Sequence, residues 1–257
     1  MKKTILAAAA ALSLAMAPGA FAQEPLKVGV AAEPYPPFSS VDSAGNWSGF
    51  DIEIGQAICE EMGRECVTTP VAWDGIIPAL TSGKIDMIVG SMSITEERQK
   101  VIDFSDRYYY TPAAFVAPAP VEVDTDSADL GGLVLGVQSG TTSAAYVRKA
   151  YPDAEIKLYN TQDEVNADLA AGRIDVMLAD QAAMVEYVKT PEGSQFEVKA
   201  VAPEDEAFGE GIGVGLRKED DDLQADVNDA IAALLESGRY DEIAGQYFEF
   251  DIYGGRE

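Results

Sequence analysis

From residue 26 onward the chain alternates short apolar, β-prone runs with amphipathic helical segments almost to its end. That rhythm is the tightest constraint on what it can fold into. Short strands each followed by a longer helix bury their apolar faces as an open sheet with helices on both sides. Leu26–Ala31 reads as extended, and Asp51 stands where a cap belongs for a helix over 52–62 that Gly63 ends. Residues 66–70 are extended, 73–80 helical with Gly83 as the stop, and 85–89 a short buried strand. A new pattern begins after Ala113, with strands at 133–137, 155–158, 174–178, 196–201 and 213–216. Helices fall at 142–150, at 180–188 and between Thr161 and Gly172, where Thr161 and Glu164 form a capping box. Two terminal helices, 220–237 and 240–247, follow; Leu223, Val227, Ile231, Leu234 and Leu235 give the first an apolar stripe.

The pattern comes twice. Gly83-Lys84-Ile85-Asp86-Met87-Ile88 is echoed by Gly172-Arg173-Ile174-Asp175-Val176-Met177, each after a helix and each leading into a polar segment. Two such α/β lobes, both ending a strand in polar groups, predict a ligand cleft between them.

Charge narrows the choice of partner. The 257 residues carry 18 Lys+Arg against 44 Asp+Glu, a formal charge of -26. So acidic a chain is repelled by nucleic-acid phosphates and anionic membrane surfaces, so neither is an expected partner. Histidine is absent, which removes Ser-His-Asp triads, imidazole-ligated zinc and histidine bases. No metal or cofactor is expected; the Asp124, Asp126 and Asp129 cluster lacks calcium-loop spacing and reads as a solvated linker. Lys2 and Lys3, an apolar run to Ala17 and the small residues through Ala22 make residues 1–22 a signal peptide cut before Gln23. With no cysteine to take a lipid and no second apolar run of spanning length, the mature chain is expected to be free and soluble outside the cytoplasm. Export makes a structural staple between Cys59 and Cys66 the first reading, with two reduced buried thiols as the alternative.

In an open α/β sheet the working residues lie beyond the C-terminal ends of the strands. After the first strand come Glu33 and Tyr35 in a proline-stiffened loop, and Trp73 follows the second. Gly90, Ser91 and Ser93 follow the strand at 85–89, with Arg98 close behind. In the second lobe Gln138, Thr141 and Thr142 join a strand to a helix start, whose free N–H groups and hydroxyls suit a carboxylate. Asp180 follows the strand at 174–178. An arginine, hydroxyls and a helix N-terminus can hold an anionic group; Asp180 and Glu33 can hold cationic ones, between the flat walls of Tyr35 and Trp73. That inventory matches a zwitterion with a further positive or polar side chain.

These residues carry a resemblance that spans the mature chain in order. Tyr35-Pro36-Pro37-Phe38, Gly49-Phe50-Asp51-Ile52, Trp73-Asp74-Gly75-Ile76-Ile77-Pro78 and Ser91-Met92-Ser93-Ile94-Thr95-Glu96-Glu97-Arg98 resemble the periplasmic solute-binding proteins of polar amino-acid ABC transporters. Ala171-Gly172-Arg173-Ile174-Asp175, Gly213-Val214-Gly215-Leu216-Arg217-Lys218 and Tyr247-Phe248-Glu249-Phe250-Asp251 continue the match to this family, bacterial solute-binding protein family 3. The lysine/arginine/ornithine- and histidine-binding branch is the most similar, and the Cys59 and Cys66 pair resembles its disulfide. The resemblance implies that Arg98 clamps the ligand carboxylate with Ser93 and the Thr142 region, and that Asp180 receives the α-ammonium with Ser91 or a nearby carbonyl. It further implies that Tyr35 and Trp73 sandwich the aliphatic stem and that Glu33 meets a cationic side chain. Departures touch the side-chain end: the loop before Tyr35 is one residue longer, Gly90 replaces a serine, Gln138 a hydrophobic wall residue, and Trp73 a phenylalanine.

The expected fold is therefore the two-lobed periplasmic-binding-protein fold of type II, each lobe an open mixed sheet flanked by helices. Residues 23–111 and 206–257 would form lobe 1 and 112–205 lobe 2, with crossovers near 110–113 and 203–211. The expected function is non-enzymatic: capture of arginine, or else lysine, ornithine or histidine, by cleft closure, and delivery by a monomer to an inner-membrane ABC permease. The alternatives are a cyclohexadienyl dehydratase-like enzyme on the same fold, or binding of a neutral polar amino acid or opine.

Overall fold

The computed structural model describes residues 24–254; the expected signal peptide lies outside them. β1 (Leu26–Ala31) leads through the small hairpin of β2 (Ser40–Val41) and β3 (Trp47–Ser48) into α1 (Phe50–Glu61). β4 (Cys66–Val71), α2 (Trp73–Thr81), β5 (Met87–Ile88), the single turn α3 (Glu96–Gln99) and β6 (Asp103–Tyr109) follow. Residues 110–112 then carry the chain to β7 (Ala113–Pro118) in a second sheet. There it continues as β8 (Leu135–Gln138), α4 (Thr142–Ala150), β9 (Ile156–Tyr159), α5 (Gln162–Ala170), β10 (Val176–Asp180), α6 (Gln181–Tyr187) and β11 (Phe196–Val201). Residues 202–211 return it to β12 (Ile212–Leu216) of the first sheet, and α7 (Asp221–Ser237) and α8 (Arg239–Ala244) pack beneath it.

Each sheet has five strands, ordered β4-β1-β5-β12-β6 and β11-β7-β10-β8-β9. The strands that precede helices run parallel, β1 with β4 and β5 and β8 with β9 and β10. β12 pairs antiparallel with β5 and β6, and β7 antiparallel with β10 and β11. The fold is thus the expected two-lobed mixed α/β architecture.

The sequence echo is a repeated structural device. Gly83 and Gly172 follow α2 and α5 at φ 72° and 66°, left-handed values that suit glycine at a helix exit. The next isoleucines, Ile85 and Ile174, are buried and pack so closely on Gly29 and Gly136 that a Cβ there would lie 2.3 Å from each isoleucine Cδ1. Asp86 and Asp175 then accept the backbone N–H of Lys27 at 2.9 Å and Val134 at 2.8 Å. Helix exit, sheet packing and strand register are set by the same short motif in both lobes.

Two expectations need correction. Asp51 does not cap α1: the helix begins two residues earlier than expected, at Phe50 behind Gly49, and the Asp51 carboxylate is buried against Tyr108 and Ser91. The strand expected over 85–89 is reduced to β5, because Ile85 and Asp86 are used in the turn just described. The chain's two cysteines are joined from the end of α1 to the start of β4, as the staple reading expected, with Cα atoms 6.2 Å apart.

Candidate functional site

A cavity lies between the sheets, and the residues singled out from the sequence line it from both sides: Glu33, Tyr35, Trp73, Gly90, Ser91, Ser93 and Arg98 from the first lobe, and Gln138, Thr141, Thr142 and Asp180 from the second. The lobes touch around it. The Asp180 N–H donates to the Tyr35 hydroxyl at 3.2 Å, Arg98 Nη2 to the Gly140 carbonyl at 3.2 Å, and the Ser139 hydroxyl to Asp74 at 3.2 and 3.3 Å.

Arg98 is held by the residues around it. Thr95 caps α3 by accepting the Arg98 N–H at 3.3 Å, which aims the side chain inward. Nη1 donates to the Ser93 carbonyl at 2.9 Å, and the guanidinium carbon lies 5.5 Å from the centroid of the Trp73 ring. Burial lowers its pKa to about 10, so it remains cationic at neutral pH. Trp73 therefore backs the guanidinium as a cation–π partner, a contact absent from the sandwich expectation.

Opposite it, α4 starts at the cavity. Thr141 caps this helix, accepting the Ala144 N–H at 3.1 Å and donating to the Gln138 carbonyl at 2.7 Å. Thr142 and Ser143 follow as its first residues, and their N–H groups belong to the positive end of the helix. The Gln138 amide is turned to the Asn160 carbonyl, to which it donates at 3.1 Å.

Asp180 both caps α6 and lines the cavity. Its Oδ1 accepts the N–H groups of Ala182 at 2.8 Å and Ala183 at 3.4 Å, and its Oδ2 accepts the Thr111 hydroxyl. Burial raises its pKa to about 6 against those hydrogen bonds. The Tyr35 hydroxyl is pushed well above its ordinary range by burial and by the Asp180 charge. Glu33 stands apart: its Oε2 is buried without a hydrogen-bond partner. An unpaired buried carboxylate oxygen is costly, and a cation or donor placed in the cavity removes that cost.

Ser91 has φ 53°, an uncommon value for a residue with a side chain and one that clusters at functional sites. Its hydroxyl reaches Asp51 at 2.9 Å and that of Tyr109 at 2.8 Å. Several cavity residues were not expected from the sequence: Asp51, Thr111, Gln162 and Phe208. An acid ahead of an apolar run looks like a helix cap, which hid Asp51. Thr111 lies in the crossover, whose signal was a change of pattern and nothing more local. Among the described residues no group of three His, Cys, Asp or Glu side chains gathers to hold a metal, and Asp124 and Asp129 accept local N–H groups in their own turns. No helix among them is long and apolar enough to cross a membrane.

The site can therefore hold an anion on Arg98 and the start of α4 while Asp180 and Glu33 hold cations a short way off. Residues 26–250 match the family described as bacterial extracellular solute-binding proteins, family 3. The chain is 41% identical to the L-arginine-binding protein of Pseudomonas aeruginosa, across 99% of both chains. It is 39% identical to the lysine/arginine/ornithine-binding periplasmic protein of Escherichia coli, across 99% of this chain and 100% of that one. Its structure is similar to that of an ancestral arginine-binding protein bound to arginine, with a TM-score of 0.81, 34% identity, and 88% of this chain and 99% of that one covered. An ancestral amino acid-binding protein described as a precursor of cyclohexadienyl dehydratase is also similar, with a TM-score of 0.77, 31% identity, and 87% and 95% covered. By sequence and by fold, the chain belongs to the bacterial extracellular solute-binding proteins, family 3.

Proposed function

We propose that this protein captures a cationic amino acid, arginine first and lysine, ornithine or histidine after it, and presents it to an inner-membrane ABC permease. It would act in the periplasm as a soluble monomer, after removal of residues 1–22, and without covalent chemistry. The observation that carries the reading is the Glu33 oxygen, buried and unpartnered in the cavity that also holds Arg98 and Asp180. The ligand carboxylate would lie on Arg98, Ser93 and the start of α4. The α-ammonium would lie on Asp180 and Ser91, the stem along Tyr35 and Trp73, and the side-chain cation on Glu33. Lobe 1, residues 23–111 and 206–257, would close on lobe 2, residues 112–205, about the two crossovers. Each lobe supplies polar groups that water covers when the cleft is open, so closure is favourable only around a ligand that replaces that water. An analogue without the ammonium leaves Asp180 buried and unpaired, which is the basis of selection.

Calorimetric titration of the mature, ligand-stripped protein tests this. One-to-one binding of L-arginine is expected, lost in Arg98→Ala and weakened on the order of tenfold or more in Glu33→Ala, since a buried charged hydrogen bond is removed. Binding of glutamine or an opine in preference to every cationic amino acid would overturn the ligand class. Turnover of a cyclohexadienyl substrate, with Glu33 or Asp180 as the acid, would overturn the non-enzymatic reading.

A further inference from the structure

Behind the proposed ammonium site lies a buried carboxylate, Asp51, 1% exposed and yet on the cavity wall. Oδ2 accepts the Ser91 hydroxyl at 2.9 Å and Oδ1 the Tyr108 hydroxyl at 2.8 Å. A serine hydroxyl has one proton and two lone pairs, and an ionised carboxylate can only accept. The Ser91 proton is therefore given to Asp51. The Tyr109 hydroxyl, 2.8 Å from Ser91 Oγ, must then be the donor in that contact and occupy one of the serine's lone pairs. What Ser91 has left is a single lone pair, on a residue that lines the cavity and is held at φ 53°.

We propose that Asp51 is a positioning residue for the ligand's α-amino group: by taking the Ser91 proton it makes Ser91 an obligatory acceptor, so that the pocket selects an ammonium over a hydroxyl of similar size. This rests on the amino-acid reading above and adds a source of selectivity that Asp180 alone does not give. The lock holds while Asp51 is ionised. Facing it are Tyr108 and Tyr109 from β6, Tyr240 of α8 beside Tyr108, Ser91 after β5 and Asp180 at the end of β10, with Glu33 and Arg98 on the same cavity. Burial pushes the Tyr108 and Tyr109 hydroxyls well above their ordinary range, so both stay protonated donors. Burial lifts Asp51 to about 7 against the hydrogen bonds from Tyr108 and Ser91, and the Asp180 charge adds to the rise. Below that pH Asp51 carries its own proton, and Ser91 is free to turn its O–H toward the cavity and oppose an ammonium. Selectivity thus rises with pH through about 7, and binding near neutrality expels a proton.

The test is calorimetric titration of wild type and Asp51→Asn with L-arginine and with its 2-hydroxy analogue, argininic acid, from pH 5.5 to 8.5. Wild type is expected to prefer arginine increasingly as pH rises through 7. Buffers of unlike ionisation enthalpy should report proton release with arginine. In Asp51→Asn the preference should fall on the order of tenfold, and the step at 7 should vanish, leaving the one near 6 that belongs to Asp180. Should Asp51→Asn not fold, Ser91→Ala is expected to show the same loss, because it removes the same acceptor. An unchanged preference and pH step in either folded variant overturns the inference. Wild type that binds no amino acid at any pH overturns the amino-acid reading itself, a distinct result.

Discussion

In the proposed function Arg98 and Glu33 divide the work at the scale of single residues. Arg98 uses two of its donors on the Ser93 and Gly140 carbonyls and is backed by Trp73, so its guanidinium has little freedom left to lose. A lysine at that position supplies the charge without the planar fork. Arg98→Lys is therefore expected to weaken every amino acid the protein binds by a similar factor, on the order of tenfold or more. Glu33→Gln should weaken arginine and lysine while leaving a neutral amino acid within a few-fold of wild type. Titrating both variants with arginine, lysine and glutamine separates a backbone clamp from a side-chain reader; parallel losses in the two would refute the division. That both residues line the cavity was legible in the sequence, because polar groups beyond strand ends and a lone Arg after a Ser/Thr run are local signals. Asp51 was not, since its proposed role depends on Ser91 and Tyr108, 40 and 57 positions along the chain and met only after folding.

At the scale of elements, alternation is legible where a helix of two turns or more separates two strands, and the second-half helix over 142–150 falls on α4 itself. The sequence reading has no strand at β6 or β7, for a physical reason. They are joined by residues 110–112 with no helix between them, and they pair with strands distant in sequence, β12 and β10, so no local period marks them. The starts of α2 and α4 meet across the cleft. The Ser139 hydroxyl donates to Asp74, and a Cβ on Gly140 would lie 3.0 Å from Asp74 Oδ1 and 3.4 Å from Trp73 Nε1. This contact exists only with the lobes together and touches no ligand-facing atom of Glu33 or Asp180. In the proposed closure it would belong to the closed state and so govern release more than capture. Asp74→Ala is expected to speed arginine dissociation on the order of a few-fold with little change in association rate, measured by stopped-flow tryptophan fluorescence. A change confined to the association rate would show that the contact forms before closure.

For the whole molecule, charge and burial act in the same direction. A formal charge of -26 makes the compact state repel itself, and screening by salt relieves that repulsion. Asp51 and Asp180 add a proton-linked part, since burial raises them to about 7 and about 6 in the folded protein against a carboxylate's ordinary value near 4. For a group whose folded pKa is raised, the folded state binds protons more tightly than the unfolded chain. The stabilisation is then complete below the unfolded pKa and is lost as pH rises through the folded one. Here that window runs from about pH 4 to about pH 7. The ligand-free protein should therefore melt several degrees lower at pH 8 than at pH 5, and 0.5 M salt should narrow the gap without closing it, because screening reaches surface charges more than buried ones. Saturating arginine should narrow it further, by stabilising the folded state and by pairing Asp180 with an ammonium where its proton had been. Scanning calorimetry at pH 5, 6.5 and 8, with and without salt and arginine, makes the comparison. A melting temperature that climbs from pH 5 to pH 8 in the ligand-free protein would mean that Asp51 and Asp180 are not raised, and that the cavity's acids are ionised at a cost met elsewhere in the fold.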